Sequence, residues 1–262
     1  MHRIGLIPAA GKAKRLPFLP CSKEIFPIGI MERIIDGTRV TIPKPIISYL
    51  IEQMIAANIK EIIIVVSDDK TDILRLLGEG KDYGVNITYQ IQEDKRGMPF
   101  ALNLAYPWTK ESVVFFGMPD TIFSPPGAYN LLLEKFIKTN ADITLGLFPT
   151  SKPQKFGMVS FEIESGDFIY TIDKPDQSDL EFMWGIACWG PRFSELLLEN
   201  VNTHSSDTEL VFGTVIQNAH NNGLKVNIVP FQDGEYIDIG TPDDLLNAMI
   251  HFYPHQNRKI RK

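Results

Sequence analysis

The chain has 262 residues, of which 44% are hydrophobic and 22% charged, and its net charge is −6. A chain of this length buries a sizeable core, as one large domain or two small ones. The negative balance speaks against a general nucleic-acid binder, whose surface is usually basic.

The only cysteines, Cys21 and Cys188, show no Cys-x-x-Cys spacing. That argues against a zinc site or disulfide framework and fits a reducing compartment. No apolar run reaches the about 18 residues of a membrane span. Pro8 and the lysines after it interrupt the N-terminal apolar stretch, so no signal peptide is expected. The expectation is a cytoplasmic protein with neither membrane nor nucleic-acid partners.

In chain order, Ile4–Ile7 reads as a short buried strand. Residues 30–43 form an excursion in which Ile34-Ile35, Asp36-Gly37 and Thr38-Arg39-Val40 give a two-residue hairpin signal. The hairpin is compatible with a cover over a site, a subunit contact or a plain insertion. Pro45–Ala57 has helical periodicity, with Ile46, Leu50, Met54 and Ala57 on one face. Glu61–Ser67 is apolar throughout, as in a strand covered on both faces. Asp69–Leu77 reads as a helix broken by Gly78 and Gly80, Val85–Gln90 as a strand and Phe100–Tyr106 as a helix. Val113–Phe116 is a strand ending at Gly117-Met118-Pro119-Asp120. Tyr129–Thr139 is helical and Ala141–Phe148 is a strand. Such alternation argues for an α/β layered fold around a mostly parallel sheet.

The second half is richer in β-structure. Gly157–Ile163 and Asp167–Ile172 flank the hairpin turn Glu164-Ser165-Gly166. Met183–Trp189 and Lys225–Phe231 read as strands, Arg192–Asn200 and Thr208–Asn221 as helices. A last helix opens with Thr241 as N-cap, Pro242 at its first position, and Asp243 and Asp244 at the positive end of its dipole. There is no internal repeat or linker, so residues 1–262 read as one domain with a basic tail at 256–262.

The chemistry concentrates at the N-terminus. After the first strand comes a small-residue loop, Ala9-Ala10-Gly11, then Lys12, Lys14, Arg15 and Lys23. Small residues let backbone approach a ligand, and loop N–H groups hold phosphate oxygens. Arg and Lys supply the charge a triphosphate needs. Residues 1–45 carry eight Lys/Arg against three Asp/Glu in an otherwise acidic chain, which suits a local anion site. Taken alone, the stretch is equally a first strand with a solvated basic loop.

The run Ala9-Ala10-Gly11-Lys12-Ala13-Lys14-Arg15-Leu16, with Ser22-Lys23 and Phe26-Pro27-Ile28, resembles the signature of the sugar-1-phosphate nucleotidyltransferases, roughly A-G-G-x-G-T-R-L, then S/P-K and L-P-I/V. Further pieces follow in the family's order. They are Lys44-Pro45-Ile46, Leu77-Gly78-Glu79-Gly80, Tyr83-Gly84-Val85, Gln92 with Gly97, and Asp120. Phe156-Gly157-Met158-Val159, Asp173-Lys174-Pro175, Trp184-Gly185-Ile186 and Tyr236-Ile237-Asp238-Ile239-Gly240-Thr241 complete the set. The resemblance spans about residues 4–250.

This resemblance implies a three-layer, Rossmann-like nucleotide-diphospho-sugar transferase fold with a central mixed, mostly parallel sheet. It implies a nucleotide-binding half at 1–150 and a sugar-phosphate-binding half at 151–250. The implied reaction joins a nucleoside triphosphate and a sugar 1-phosphate into an NDP-sugar and pyrophosphate, with Mg²⁺ as cofactor. A homo-oligomer is allowed. Such a transfer rests on positioning and charge neutralisation and needs no protein nucleophile. By resemblance, Arg15 clamps the β- and γ-phosphates and Lys23 neutralises the α-phosphate. Ala9, Ala10, Gly11 and Lys12 cradle the nucleotide, and Gln92 and Gly97 contact the base. Gly157, Asp173 and Lys174 bind the sugar phosphate, and Asp120 and Asp238 hold the metal. Each of these has a plainer reading: an Asp as turn former, a Lys as a solvated charge, Gly157 as relief of a strand bend.

Departures matter as well. The family's second loop Gly and the Thr after it are Ala13 and Lys14 here. If Ala13 took positive φ, the cost would be of order 1 kcal/mol. Pro119 replaces a Gly before Asp120, Asp173 is one methylene shorter than the usual Glu, and Pro99-Phe100 follow the base loop. These leave base choice open. They also keep two other readings in view: a binding or regulatory homologue without turnover, and a cytidylyltransferase for a non-sugar alcohol phosphate. A Rossmann dehydrogenase is disfavoured, because no G-x-G-x-x-G follows the first strand.

Overall fold

The computed structural model describes residues 2–12, 15–16, 19–94, 96–205 and 209–253. The departures at Ala13 and Lys14, the expected helix start at Thr208 and the basic tail 256–262 lie outside the described residues.

The central strands follow from apolar runs that bury both faces, whereas the edge strand Asn86–Ile91 is only partly buried. β1 (Arg3–Pro8), β4 (Glu61–Val66), β5 (Asn86–Ile91) and β6 (Val113–Gly117) pair in parallel in the order β5-β4-β1-β6. Alternate residues serve opposite layers. Ile4, Leu6, Ile63, Val65, Val114 and Phe116 face one core. Ile7, Ile62, Ile64, Val66, Val113 and Phe115 face the other. Each fully buried side chain of this size contributes about 1.5–3 kcal/mol.

Helices cover both faces, which gives the expected three layers. α1 (Ile47–Ala56) and α5 (Ala128–Thr139) lie on the second core through Leu50, Met54, Tyr129 and Leu132. α3 (Met98–Asn103), α6 (Pro191–Thr203) and α7 (Phe212–Asn221) lie on the first through Phe100, Phe193 and Phe212. The short helices α2 (Thr71–Leu77) and α4 (Tyr106–Thr109) sit in connections. The expected helix Phe100–Tyr106 is in fact two, because Pro107 starts a new turn. The helix expected from Pro45 starts at Ile47, since Pro45 ends a strand, and the one expected from Asp69 starts at Thr71.

The sheet is mixed, as expected, and β11 (Phe182–Trp189) brings in its antiparallel part. β11 runs antiparallel to β6 and also pairs β8 (Ile143–Pro149) and β9 (Gly157–Phe161). Its register against β8 shifts at Gly185. β10 (Phe168–Asp173) pairs antiparallel with β9, as the hairpin turn predicts, and β12 (Val226–Pro230) pairs parallel with β8.

The excursion at 30–43 is a longer hairpin, β2 (Pro27–Ile35) and β3 (Thr38–Pro45). Its turn is the expected one, with positive φ at both Asp36 and Gly37. Arg33 holds it to the Lys81–Tyr83 turn by a 2.7 Å bond to the Asp82 carbonyl. Its base packs on α8 (Pro242–Phe252), where the Tyr253 hydroxyl donates to the Gly29 carbonyl. Thr241 caps α8, accepting from the Asp244 N–H at 3.3 Å.

β7 (Thr121–Phe123) and β13 (Tyr236–Asp238) form a separate two-stranded antiparallel sheet.

Candidate active site

The chain leaves β1 for β4 and β5 on one side, then returns to β6 on the other. Strand order therefore reverses between β1 and β6, and ligands of open α/β sheets bind at the carboxyl ends of such strands. The Ala9-Ala10-Gly11 loop leaves β1 at that edge. The Ala9 N–H donates to the Val65 carbonyl at 2.6 Å, and the Gln92 N–H to the neighbouring Val66 carbonyl at 2.8 Å. Ala9 and Ala10 are buried, whereas Gly11 and Lys12 are exposed at the turn.

Asp120 follows β6 and is buried; Asp238 ends β13. The two-stranded sheet brings them together. Asp238 lies opposite Thr121, and the Ile239 N–H donates to the Asp120 carbonyl at 3.2 Å. The Lys23 ammonium is ion-paired to the Asp120 carboxylate. Burial alone would lower the Lys23 pKa, but Asp120 beside it outweighs burial and holds the ammonium above its ordinary value. Arg15 joins the group across Gly240. A Cβ on Gly240 would lie 2.7 Å from Asp238 Oδ2 and 2.9 Å from Arg15 Nη2. A side chain at 240 would therefore have to displace one of them.

Asp238 titrates at about 6, raised first by burial and then by the Asp120 carboxylate, against the opposing pull of Lys23 and Arg15. Two close carboxylates that resist joint ionisation form a place where a cation relieves repulsion. Among the described residues, no cluster of three or more His, Cys, Asp or Glu could hold a metal ion by itself. The pair suits a hard ion that takes most of its ligands from substrate oxygens and water.

Gln92 is buried, and its Nε2 has no hydrogen-bond partner. Such an orphan donor is costly unless something meets it. Gly97 precedes α3 with φ +115°, and a Cβ there would lie 2.6 Å from the Leu210 carbonyl oxygen. Backbone path and space both require glycine at 97.

The sugar-phosphate candidates gather on the second hairpin. Asp173 pairs directly opposite Gly157 in the β9–β10 register. The Lys174 N–H donates to the Phe156 carbonyl at 2.9 Å, and its ammonium lies 3.4 Å from Asp173. Lys174 has φ +45°, a left-handed conformation that costs a non-glycine residue about 1 kcal/mol or more. Gly157 has a packing reason of its own: a Cβ there would lie 2.1 Å from Trp184 Nε1.

Asp244 does more than favour the α8 dipole. It is buried and paired with Lys155 at 2.5 Å and Lys152 at 3.5 Å. Burial would raise its pKa, but Lys155, Thr241 and Lys152 outweigh that and hold it below its ordinary value. The pair ties the segment before Gly157 to the segment after Asp238. The Thr241-x-x-Asp244 spacing signalled the cap; nothing local signalled Lys155.

The nucleotidyl transferase family profile matches residues 5–253. The low-salt glycan biosynthesis nucleotidyltransferase Agl11 of Haloferax volcanii is 26% identical over 207 residues, covering 78% of this chain and 56% of that protein. The glucose-1-phosphate thymidylyltransferase of Mycolicibacterium smegmatis is 26% identical over 174 residues, covering 65% and 55%. The chain thus spans a little over half the length of these curated relatives. A solved UDP-glucose pyrophosphorylase, complexed with UDP-glucose, superposes with a TM-score of 0.77 at 19% identity, covering 97% of this chain and 99% of that one. That likeness shows a shared fold. With the family profile running through β1, Asp120, the second hairpin and α8, the chain belongs to the nucleotidyl transferase family.

Proposed function

We propose that this protein joins a nucleoside triphosphate to a sugar 1-phosphate, giving an NDP-sugar and pyrophosphate. The observation that carries the reading is the convergence of Arg15, Lys23, Asp120 and Asp238 at the edge where strand order reverses. Two cations and two carboxylates there match a polyphosphate and its counter-ion.

A sugar-phosphate oxygen attacks the α-phosphorus in line. The bond from that phosphorus to the oxygen bridging toward the β-phosphorus breaks, and pyrophosphate leaves. Arg15 holds the β- and γ-phosphates in the two-pronged manner of a guanidinium. Lys23 neutralises charge growing on the α-phosphate. The Ala9–Lys12 turn lies along the phosphates, and the unmet Gln92 Nε2 donates to the base. On the second hairpin, Asp173 accepts from sugar hydroxyls, and Lys174 holds the incoming phosphate. Asp120 and Asp238 would hold Mg²⁺, which when bound supplies charge neutralisation at the α-phosphate.

The test is pyrophosphate release with Mg²⁺ across five nucleoside triphosphates and several sugar 1-phosphates. Release that needs both partners supports the reading. Silence across the panel, with nucleotide still raising the melting temperature, replaces it with a binding protein of the same family.

A further inference from the structure

Lys23 sits in a tight turn, Lys23–Ile25, and side chains from the start of α2 grip both of its neighbours. On one side, the Ser22 N–H and hydroxyl donate to the two Asp72 carboxylate oxygens, each at 2.7 Å. On the other, Glu24 Oε1 accepts from Lys70 Nζ at 2.6 Å. Lys70 Nζ also donates to the Ala9 carbonyl at 2.6 Å. One ammonium therefore joins the turn that carries Lys23 to the small-residue loop after β1. Glu24 and Lys70 are 1% and 8% exposed, and each neutralises the other's charge.

A buried ion pair is weak support for stability, since an apolar pair of similar volume often stabilises as well or better. In some proteins a buried polar pair instead fixes registry. Lys70 has three donors and few geometries that satisfy both a carboxylate and a carbonyl. The 67–72 connection is itself held, through the Lys70 N–H to the Ser67 carbonyl at 3.1 Å.

We propose that Lys70 and Glu24 are positioning residues: with Asp72 they form a bracket that fixes Lys23 relative to the Ala9–Gly11 loop. The inference rests on the nucleotidyltransferase reading. The bracket sets the separation between the loop that lies along the phosphates and the cation that meets the α-phosphate. It acts through Lys23 and touches no reacting atom.

The test compares wild type with Lys70→Met and the double variant Glu24→Met/Lys70→Met. Melting temperature, amide hydrogen exchange without substrate, and kcat and KM are measured for each. Lys70→Met strands a buried carboxylate and is expected to melt lower. The double variant is expected to melt near wild type. It should nevertheless exchange faster both at 9–12 and at 22–26, with kcat down at least tenfold and KM within about threefold. A double variant with wild-type melting and kcat within twofold overturns the proposal. So does faster exchange at 22–26 with none at 9–12. If the double variant does not fold, Asp72→Ala reads the same device from its half-exposed end. Faster exchange at 22–26 with kcat down fivefold supports it, and unchanged values overturn it. Exchange is read without substrate, so a wild-type protein silent in pyrophosphate release overturns the reaction while leaving the bracket to be judged separately.

Discussion

The Lys23 ammonium is bound to the Asp120 carboxylate, 97 residues further along the chain. The proposed roles ask these groups to meet different partners, a phosphate and a metal ion. Arrival of a metal-bound triphosphate would let Asp120 turn to the cation and Lys23 to the phosphate. The pair then keeps the buried Asp120 charge compensated until substrate binds.

Replacing Lys23 by alanine tests this directly. Pyrophosphate release is expected to fall at least 100-fold in kcat, the scale of one lost transition-state donor of about 3 kcal/mol. Asp120 would be left buried and uncompensated, so the variant should also unfold at lower denaturant. An unchanged kcat removes Lys23 from the reaction.

Asp238→Asn separates function from stability. Folding raises the Asp238 pKa from 3.8 to about 6, so the folded state binds the extra proton more tightly. The resulting stability is fully present below pH 3.8 and is lost as pH rises through about 6. Asparagine carries no such charge. Without divalent ions, the variant should match wild type at pH 4 and melt a few degrees higher at pH 8, where about 1 kcal/mol shifts Tm by roughly 2–4 °C. Mg²⁺ with nucleotide should stabilise wild type more than the variant, and activity should fall about 100-fold or more. A variant melting lower than wild type at pH 8 contradicts the repulsion.

Gln92→Leu removes a buried amide whose Nε2 has no partner. Burying such a donor costs about 1–3 kcal/mol. The variant is therefore expected to be at least as stable as wild type, while KM for the triphosphate rises about tenfold. Lower stability with unchanged KM would make Gln92 a structural residue.

Lys174→Gly relieves a left-handed backbone at φ +45°. Stability should hold or rise by about 0.5–1 kcal/mol. The sugar-phosphate KM should rise at least tenfold, with the triphosphate KM little changed. Equal effects on both substrates would separate Lys174 from the acceptor.

Gly157→Ala places a methyl 2.1 Å from Trp184 Nε1, so the indole must move. Overpacking of this kind costs about 1–3 kcal/mol. Trp184→Phe in the same chain should restore much of the lost stability. Failure of that rescue would show that the cost of the extra methyl does not come from the indole.

Local signals in the sequence determined a great deal. The apolar runs at Ile4–Ile7, Glu61–Ser67 and Val113–Phe116 gave strands because a strand covered on both faces is apolar at every position. Asp36-Gly37 gave its turn and Thr241 its helix cap, since each effect acts over two to four residues. The small loop and the cations after it marked the proposed phosphate end of the site. Only the tertiary structure decided which distant groups meet. Asp120 and Asp238 converge through β7 and β13, three residues each, too short to carry a periodicity. The Glu24–Lys70 pair spans 46 residues and the Lys155–Asp244 pair spans 89, and a lone charge in sequence looks the same whether solvated or buried. Trp184 over Gly157 depends on the antiparallel register of β9 against β11, with Met183 opposite Met158. Short-range propensity specifies turns, caps and strands; long-range pairing, settled by burial and charge compensation in the packed fold, specifies the site.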